Sequence, residues 1–308
     1  MQHVTALENL RLAHEACLSL GAFDGVHRGH QALIRQMIER AHGSGRETVI
    51  ITFYPHPSVV LRGRRPSFYL TAPEEKVEYF AALGVDAVVT HPFTTEVSQI
   101  SAADFVSRLR QYARLSELWC GSDFALGRGR EGSVAFLQAA GAQQGFTVQV
   151  VPPLVENGEP VSSTRIRQTL RDGAVEQAAQ FLGRPFRLTG QVVEGAKRGR
   201  TIGIPTANLA VWEERAVPAV GVYACRVQHE RVTYPAVTNI GFRPTFAGGE
   251  TQLTVETHIL DFSGDLYGAT LALDFTARLR PEIKFNGIEA LVEQIQQDIA
   301  RARVLLAK

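Results

Sequence analysis

Short apolar runs alternate with amphipathic stretches along the first half of the chain. Ala16–Gly21, Thr48–Phe53, Ala87–His91, Glu117–Gly121 and Thr147–Pro152 read as buried strands. Between them, Gln31–Ala41, Ala72–Leu83, Ala102–Tyr112 and Ser133–Ala140 carry apolar residues at helical spacing. Strand and helix in alternation require right-handed crossovers, so the pattern predicts a parallel, doubly wound, Rossmann-like α/β sheet. Ligands of such sheets bind beyond the carboxyl ends of the strands, which points to the loops that follow them.

From about Phe186 the periodicity changes. Arg187–Glu194, Gly221–Gln228, Val232–Asn239, Thr251–Phe262 and Thr270–Arg278 read as strands, several with period-two alternation. The Gly, Pro and Asp turns between them leave no room for crossover helices, which predicts an antiparallel β-barrel. A C-terminal helix over Gly287–Leu305 follows, with Ile288, Leu291, Ile295, Ile299 and Val304 as its apolar stripe. The division is expected after Arg184, giving domains 1–184 and 185–308. A length of 308 residues fits two domains of roughly 150 residues each.

Composition narrows the function classes. Hydrophobic residues make up 45% and charged residues 20%, as in soluble globular proteins with substantial cores. A net charge of +1 supplies no global field for nucleic acid or an anionic membrane, so neither is expected as a partner. The only lysines are Lys76, Lys197, Lys284 and Lys308, and none stands in a G-x-x-x-x-G-K-[ST] frame, so any kinase chemistry must use another loop. Cys17, Cys120 and Cys225 form no C-x-x-C pair, which argues for free thiols in a reducing compartment. The polar amino terminus does not read as a signal peptide, and no apolar run approaches the roughly 18 residues of a membrane span. A cytoplasmic protein is expected; no oligomeric state follows.

The first strand run leads into Gly21-Ala22-Phe23-Asp24-Gly25-Val26-His27-Arg28-Gly29-His30. Glycines here let a ligand approach the backbone, and the helix that starts near Gly29-His30 offers N–H groups and the positive end of its dipole. His27 and His30, three apart at the helix start, can face one anion and stabilise charge on a phosphate in transfer. The same spacing also suits zinc, given further ligands, or a structural role. Val161-Ser162-Ser163-Thr164-Arg165-Ile166-Arg167 sets three hydroxyls and two arginines at another helix start, a second phosphate clamp of which capping alone explains one hydroxyl.

The later half contains Gly199-Arg200-Thr201-Ile202-Gly203-Ile204-Pro205-Thr206-Ala207-Asn208, a basic, glycine-bearing loop ending in a hydroxyl and an amide. Glycines with arginine suit nucleotide phosphates, and Thr206 and Asn208 offer hard oxygens for magnesium; a turn in which both satisfy backbone groups is the plainer alternative. On the strand around Glu256, Leu253, Val255 and Ile259 share one face and Thr254, Glu256 and His258 the other. A mid-strand carboxylate is costly if buried alone, so its face must open to water or to a site.

H-x-G-H directly after a strand and S-S-T-x-I-R at a later helix start resemble the nucleotidyltransferase superfamily. The fuller G-x-F-D-G-V-H-x-G-H, with Thr52–Pro57 (T-F-Y-P-H-P) and Gly121–Phe124 (G-S-D-F), resembles the adenylyltransferase half of the bacterial bifunctional riboflavin kinase/FAD synthetase family. P-T-A-N at Pro205–Asn208, Thr238–Phe246, Val255–Phe262, Gly264–Gly268 and Arg280–Phe285 resemble its riboflavin kinase half. The resemblance spans about Leu18 to Arg303. It implies ATP binding at Gly21, Phe23, Asp24, Gly29, Ser163, Thr164 and Arg165 in the first half, with His27 and His30 catalytic, and at Gly199, Arg200 and Gly203 in the second. Flavin contacts are implied at His56, Asp123, Phe124 and Arg243, although His56 between two prolines also reads as a rigid loop residue.

The same resemblance implies magnesium held at Thr206 and Asn208, and Glu256 as the general base that takes a proton from the ribityl hydroxyl. The expected substrates are riboflavin, FMN and ATP, converted to FMN and then FAD. One departure stands out: Ala125-Leu126 occupy positions where the family has a basic or polar residue and then an aromatic. Rival readings are a riboflavin kinase whose first half is impaired there, and a non-catalytic nucleotide or flavin binder. A class I aminoacyl-tRNA synthetase would need a lysine-bearing K-M-S-K-S segment, which the four lysines do not supply.

Overall fold

The computed structural model describes residues 1–63, 67–195, 199, 202–244 and 251–307, with side chains for all of these but 243, 244, 251 and 252. Arg200 therefore lies outside the described residues, and so does the side chain of Arg243. The chain divides into two compact units, Met1–Arg65 with Tyr69–Ser163, and Pro66–Phe68 with Thr164–Lys308.

In the first unit the order is β1 (Gln2–Val4), β2 (Ala16–Leu20), α1 (Arg28–His42), β3 (Glu47–Tyr54), α2 (Pro57–Arg62), α3 (Pro73–Leu83), β4 (Ala87–Pro92) and α4 (Thr95–Ser98). Then come α5 (Ala102–Ala113), β5 (Leu115–Gly121), β6 (Ala125–Leu126), β7 (Gly132–Ser133), α6 (Val134–Gln144), β8 (Thr147–Val151), β9 (Val155–Glu156) and β10 (Glu159–Pro160). Six strands form one sheet in the order β1-β4-β3-β2-β5-β8, and every pair in it is parallel. Both faces are covered, which is why the strands read as near-continuous apolar runs. Ala16, Leu18, Leu20, Val49 and Ile51 pack on one side with Phe105, Val106 and Leu109 of α5; Cys17, Ile50 and Val88 pack on the other with Ile34 and Met37 of α1 and Phe80 of α3. The chain leaves β2 toward β3 on one side, and later returns to β5 on the other. The loop after β2 therefore lies at the switch point where such sheets bind ligands.

The second unit takes in α7 (Ser163–Arg171) from Thr164 onward, α8 (Val175–Leu182), β11 (Phe186–Val193), β12 (Ala207–Val211), β13 (Gly221–His229), β14 (Val232–Pro244), β15 (Thr251–Ile259), β16 (Thr270–Arg280) and α9 (Ile288–Leu306). Its strands close a barrel in the order β11-β12-β15-β14-β13-β16, antiparallel throughout. Leu271, Leu273, Phe275, Ala277 and Leu279 alternate inward along β16.

The compact units part at Ser163–Thr164, while the domain boundary expected from the sequence lies after Arg184; between the two, α7 and α8 are bonded within the second unit, where Ala219 N donates to Leu170 O (2.9 Å) and Arg278 N to Glu176 Oε1 (3.1 Å). One sequence expectation changes, the apolar stripe of α9. On α9, Ile288 and Val304 are exposed, and the inward face is Asp298, Ala302 and Leu306, with Ile299 beside them against Val222, Ala224 and Val237. The stripe was misplaced because a buried aspartate interrupts it.

Candidate active site

In the first unit, β2 ends as Gly21 N donates to Ile51 O (3.1 Å), and the chain then turns sharply. Phe23 (φ 47°), Gly25 (φ 84°) and Val26 (φ 38°) all have positive φ within four residues. For Phe23 and Val26 that costs roughly 1–3 kcal/mol each, so the surroundings must hold the loop in shape. Asp24 does much of this. Buried at 2% exposure, its carboxylate accepts Leu70 N (3.0 and 3.1 Å) and Thr71 N (3.2 Å), while Gly25 N donates to Thr71 Oγ1 (3.1 Å). These oxygens tie the loop to the backbone amides just before α3.

His27 caps α1, its Nδ1 accepting from His30 N at 3.4 Å. The two rings stack, 3.6 Å between centroids and 19° from parallel, and Phe23 sets its ring against His30 at 5.0 Å. Gly29 lets the helix begin here, because a Cβ at that position would stand 3.2 Å from the His27 ring. Burial holds the His30 imidazole well below its ordinary value, and the neighbouring His27 and Lys76 push the same way. Its Nδ1 is buried with no hydrogen-bond partner among the described residues. The two rings are thus pre-stacked at a helix N-terminus, with the neutral form of His30 favoured. Ser163 joins it: its hydroxyl donates to Asp24 O at 2.7 Å.

The other predicted residues fall as follows. Thr164 and Arg165 belong to the second unit, where the Arg165 guanidinium lies 4.3 Å over the Phe181 ring. His56 follows β3 and caps α2, with Nδ1 accepting Ser58 N (3.0 Å) and its own N–H donating to the Tyr69 hydroxyl (2.9 Å). Asp123 follows β5 and is exposed, its carbonyl accepting from Arg130 (2.7 Å). Phe124 is half-buried against the core, and Ala125-Leu126 form β6, which pairs with β7 in a small hairpin.

Lys76 belongs to no motif in the sequence. It sits on α3 at 3% exposure, four residues before Phe80 on the inward face, and that placement was the one available signal. Its Nζ donates to Thr52 Oγ1 (3.1 Å), Ala22 O (3.2 Å) and, more weakly, Phe53 O (3.5 Å).

In the barrel unit the register does the positioning. Asn208 on β12, Glu256 on β15 and Asn239 on β14 stand side by side across three adjacent strands. One residue on, Ala207, Thr257 and Thr238 form the next row, in which the buried Thr238 and Thr257 hydroxyls bond to each other (2.9 Å). Val255, Thr257 and Ile259 are buried and Thr254, Glu256 and His258 half-exposed, as alternation required. Asn208 thus lies in a strand, as the second residue of β12, and not at the end of a loop. The preceding segment is pinned by Ile204, buried, whose N donates to Gly199 O (2.8 Å), and by a hydrogen bond of 2.7 Å between His258 Nδ1 and Pro205 O. Gly203 (φ 76°) makes the turn and Thr206 stays exposed. Gly195 was also missed: a Cβ there would run into the Asn208 amide, so only glycine leaves that side chain its place.

Each half of the chain matches a known family. Residues 10–165 match the FAD synthetase family, and residues 182–306 match the riboflavin kinase family. A bifunctional riboflavin kinase/FMN adenylyltransferase of Pseudomonas fluorescens is 40% identical over 309 residues, covering 100% of this chain and 98% of its own. The protein of that name in Listeria monocytogenes is 39% identical, covering 94% and 92%, and that of Escherichia coli K12 is 38% identical, covering 98% and 97%. A crystal structure described as a macrolide-efflux protein of Streptococcus pneumoniae matches with a TM-score of 0.90 at 30% identity, covering 98% of each chain. No helix among the described residues here is long and apolar enough to cross a membrane. Similar along its whole length to enzymes that join these two activities, the chain belongs to the bifunctional riboflavin kinase/FMN adenylyltransferase family.

Proposed function

We propose that the two activities divide between the two halves of the chain near Arg184, and that the barrel acts first. There the 5′-hydroxyl oxygen of riboflavin attacks the γ-phosphorus of ATP, the bond to the β-phosphate oxygen breaks, and ADP leaves. Glu256 accepts the hydroxyl proton. The observation that carries this is its register: half-exposed mid-strand, opposite Asn208 and beside Asn239, on the polar face of the barrel wall. Phosphoryl transfer needs positioning and charge neutralisation more than covalent chemistry. Gly199, Arg200 and Gly203 are assigned to the phosphates and Arg243 to the flavin.

ATP-dependent transfers of both kinds run with a divalent metal. The donor set fits magnesium, since Thr206 and Asn208 offer hard oxygens and the glycine at 195 leaves room for the Asn208 amide. Bound there, the ion would neutralise charge on the transferred phosphoryl group.

In the amino-terminal half, residues 1–184, an FMN phosphate oxygen attacks the α-phosphorus of a second ATP and pyrophosphate leaves, giving FAD. His27 and His30 donate hydrogen bonds to the reacting phosphates at the N-terminus of α1, where anions are favoured. Gly21, Phe23, Asp24 and Gly29 shape the loop, and Ser163, Thr164 and Arg165 are assigned to the phosphates. His56, Asp123 and Phe124 are assigned to the flavin side. The thiols of Cys17, Cys120 and Cys225, all buried and free, support a cytoplasmic setting.

A timed reaction with riboflavin, ATP and magnesium, resolved by chromatography, tests the assignment. FMN should precede FAD, Glu256→Gln should block both, and His30→Ala should block FAD alone. FMN without FAD in the wild type would leave the barrel assignment and remove the other.

A further inference from the structure

Lys76 is the one buried lysine among the described residues, and the mechanism above makes no use of it. Its three contacts are neutral oxygens, of Ala22, Thr52 and Phe53, and no carboxylate forms an ion pair with it among the described residues. Asp24 on the loop and Glu74 on its own helix favour its charge from a distance; on α1 it faces His30, with His27 stacked behind. Asp24 is itself spent on the Leu70 and Thr71 amides.

A buried ammonium met only by neutral acceptors is expensive. Burial pushes Lys76 down to about 8, against an ordinary 10.5. Hydrogen bonding alone does not explain the expense, because Thr52 Oγ1 already donates to Ala22 O at 3.1 Å. The charge adds a fixed positive potential at the carboxyl ends of β2 and β3, where a parallel sheet takes its ligand.

We propose that Lys76 is a positioning residue for adenylyl transfer: its ammonium, tied to Ala22, Thr52 and Phe53 beneath the Gly21–His30 loop, is a standing charge that the phosphates of ATP neutralise. The inference rests on the first unit being the adenylyltransferase. With no anion beside it the charge is lost as pH rises through about 8, and an anion there raises its proton affinity. Capture of ATP for FAD formation therefore weakens above that pH.

The test uses the full chain, supplied with FMN and ATP, from about pH 6 to about pH 10. Wild type is compared with Lys76→Met, which keeps the bulk, and Lys76→Gln, which keeps donors without charge. Riboflavin-to-FMN turnover of the same samples is the folding control. Both variants should raise KM for ATP in FAD formation about tenfold. They should change kcat by less than about threefold. They should also lose the alkaline fall in kcat/KM and leave FMN formation intact. Unchanged KM and an unchanged alkaline fall would overturn the proposal. So would joint loss of both activities in both variants, which would make Lys76 purely structural. A wild type that forms no FAD from FMN would overturn the reading of the unit, and the proposal with it.

Discussion

The imidazoles of His27 and His30 lie 3.6 Å apart and 19° from parallel. Two rings this close repel each other if both are charged, and burial already disfavours the charged form of His30. The fold therefore favours neutral His30 at pH values where an ordinary histidine, at 6.5, is protonated. Histidine NMR at about pH 6 should show a neutral His30. The sign for stability follows. Below 6.5 the unfolded chain binds a proton that the fold refuses, so stability falls as pH drops through that value, and His30→Asn should flatten part of the fall. A His30 titrating near 6.5 would contradict the geometry.

Gly195→Ala tests the barrel site without touching any group assigned to chemistry. Its Cβ would overlap the Asn208 amide, forcing that side chain off its place opposite Glu256. Displacing a positioned group by about 1 Å costs on the order of 100-fold in rate. FMN formation should fall by about that factor and require more magnesium, while FAD formation from supplied FMN stays unchanged. Equal loss of both activities would mean the effect is general.

Much of this was legible in the sequence because the signals are local. Helix and strand alternation around β2–β5 is written in periodicity, and the Gly21–His30 loop announces itself by residue types that serve backbone approach and anion binding. Elements fixed by distant partners were not legible. β1, only Gln2–Val4, is a strand through its pairing with β4, and β12 through its pairing with β11 and β15. Lys76 and Gly195 matter through residues 54 and 13 positions away, Ala22 and Asn208, and nothing in their neighbours in sequence records that. Asp24 was legible as a site residue, but its part in holding the loop was not, because that depends on where the Leu70 and Thr71 amides lie.

That role gives a further prediction. Asp24→Ala strands two buried amides, at about 1–3 kcal/mol each. The urea midpoint of the first unit, followed by loss of FAD formation, should drop accordingly, with Asp24→Asn intermediate because its amide oxygen still accepts. KM for ATP of the folded fraction at low urea should move little. A rise in KM without loss of stability would place the carboxylate on the nucleotide instead.

Arg280 and Asp298 make the corresponding case for the barrel unit. Asp298, on the inward face of α9 at 4% exposure, takes Arg280 Nε at 2.9 Å and Nη2 at 2.9 Å, and accepts Gln294 Nε2 at 3.1 Å. Removing one partner of a buried pair leaves the other uncompensated, at about 3–5 kcal/mol. Asp298→Ala should therefore loosen α9 from Val222, Ala224 and Val237 and lower the unfolding midpoint of the barrel. Riboflavin phosphorylation should be lost with it at moderate temperature, while FAD formation from supplied FMN continues. Replacing both partners by apolar residues, Arg280→Met with Asp298→Leu, should recover most of the stability, because the desolvation cost disappears with the charges. If the double variant were as unstable as Asp298→Ala, the hydrogen-bond geometry rather than the stranded charge would be what holds the helix.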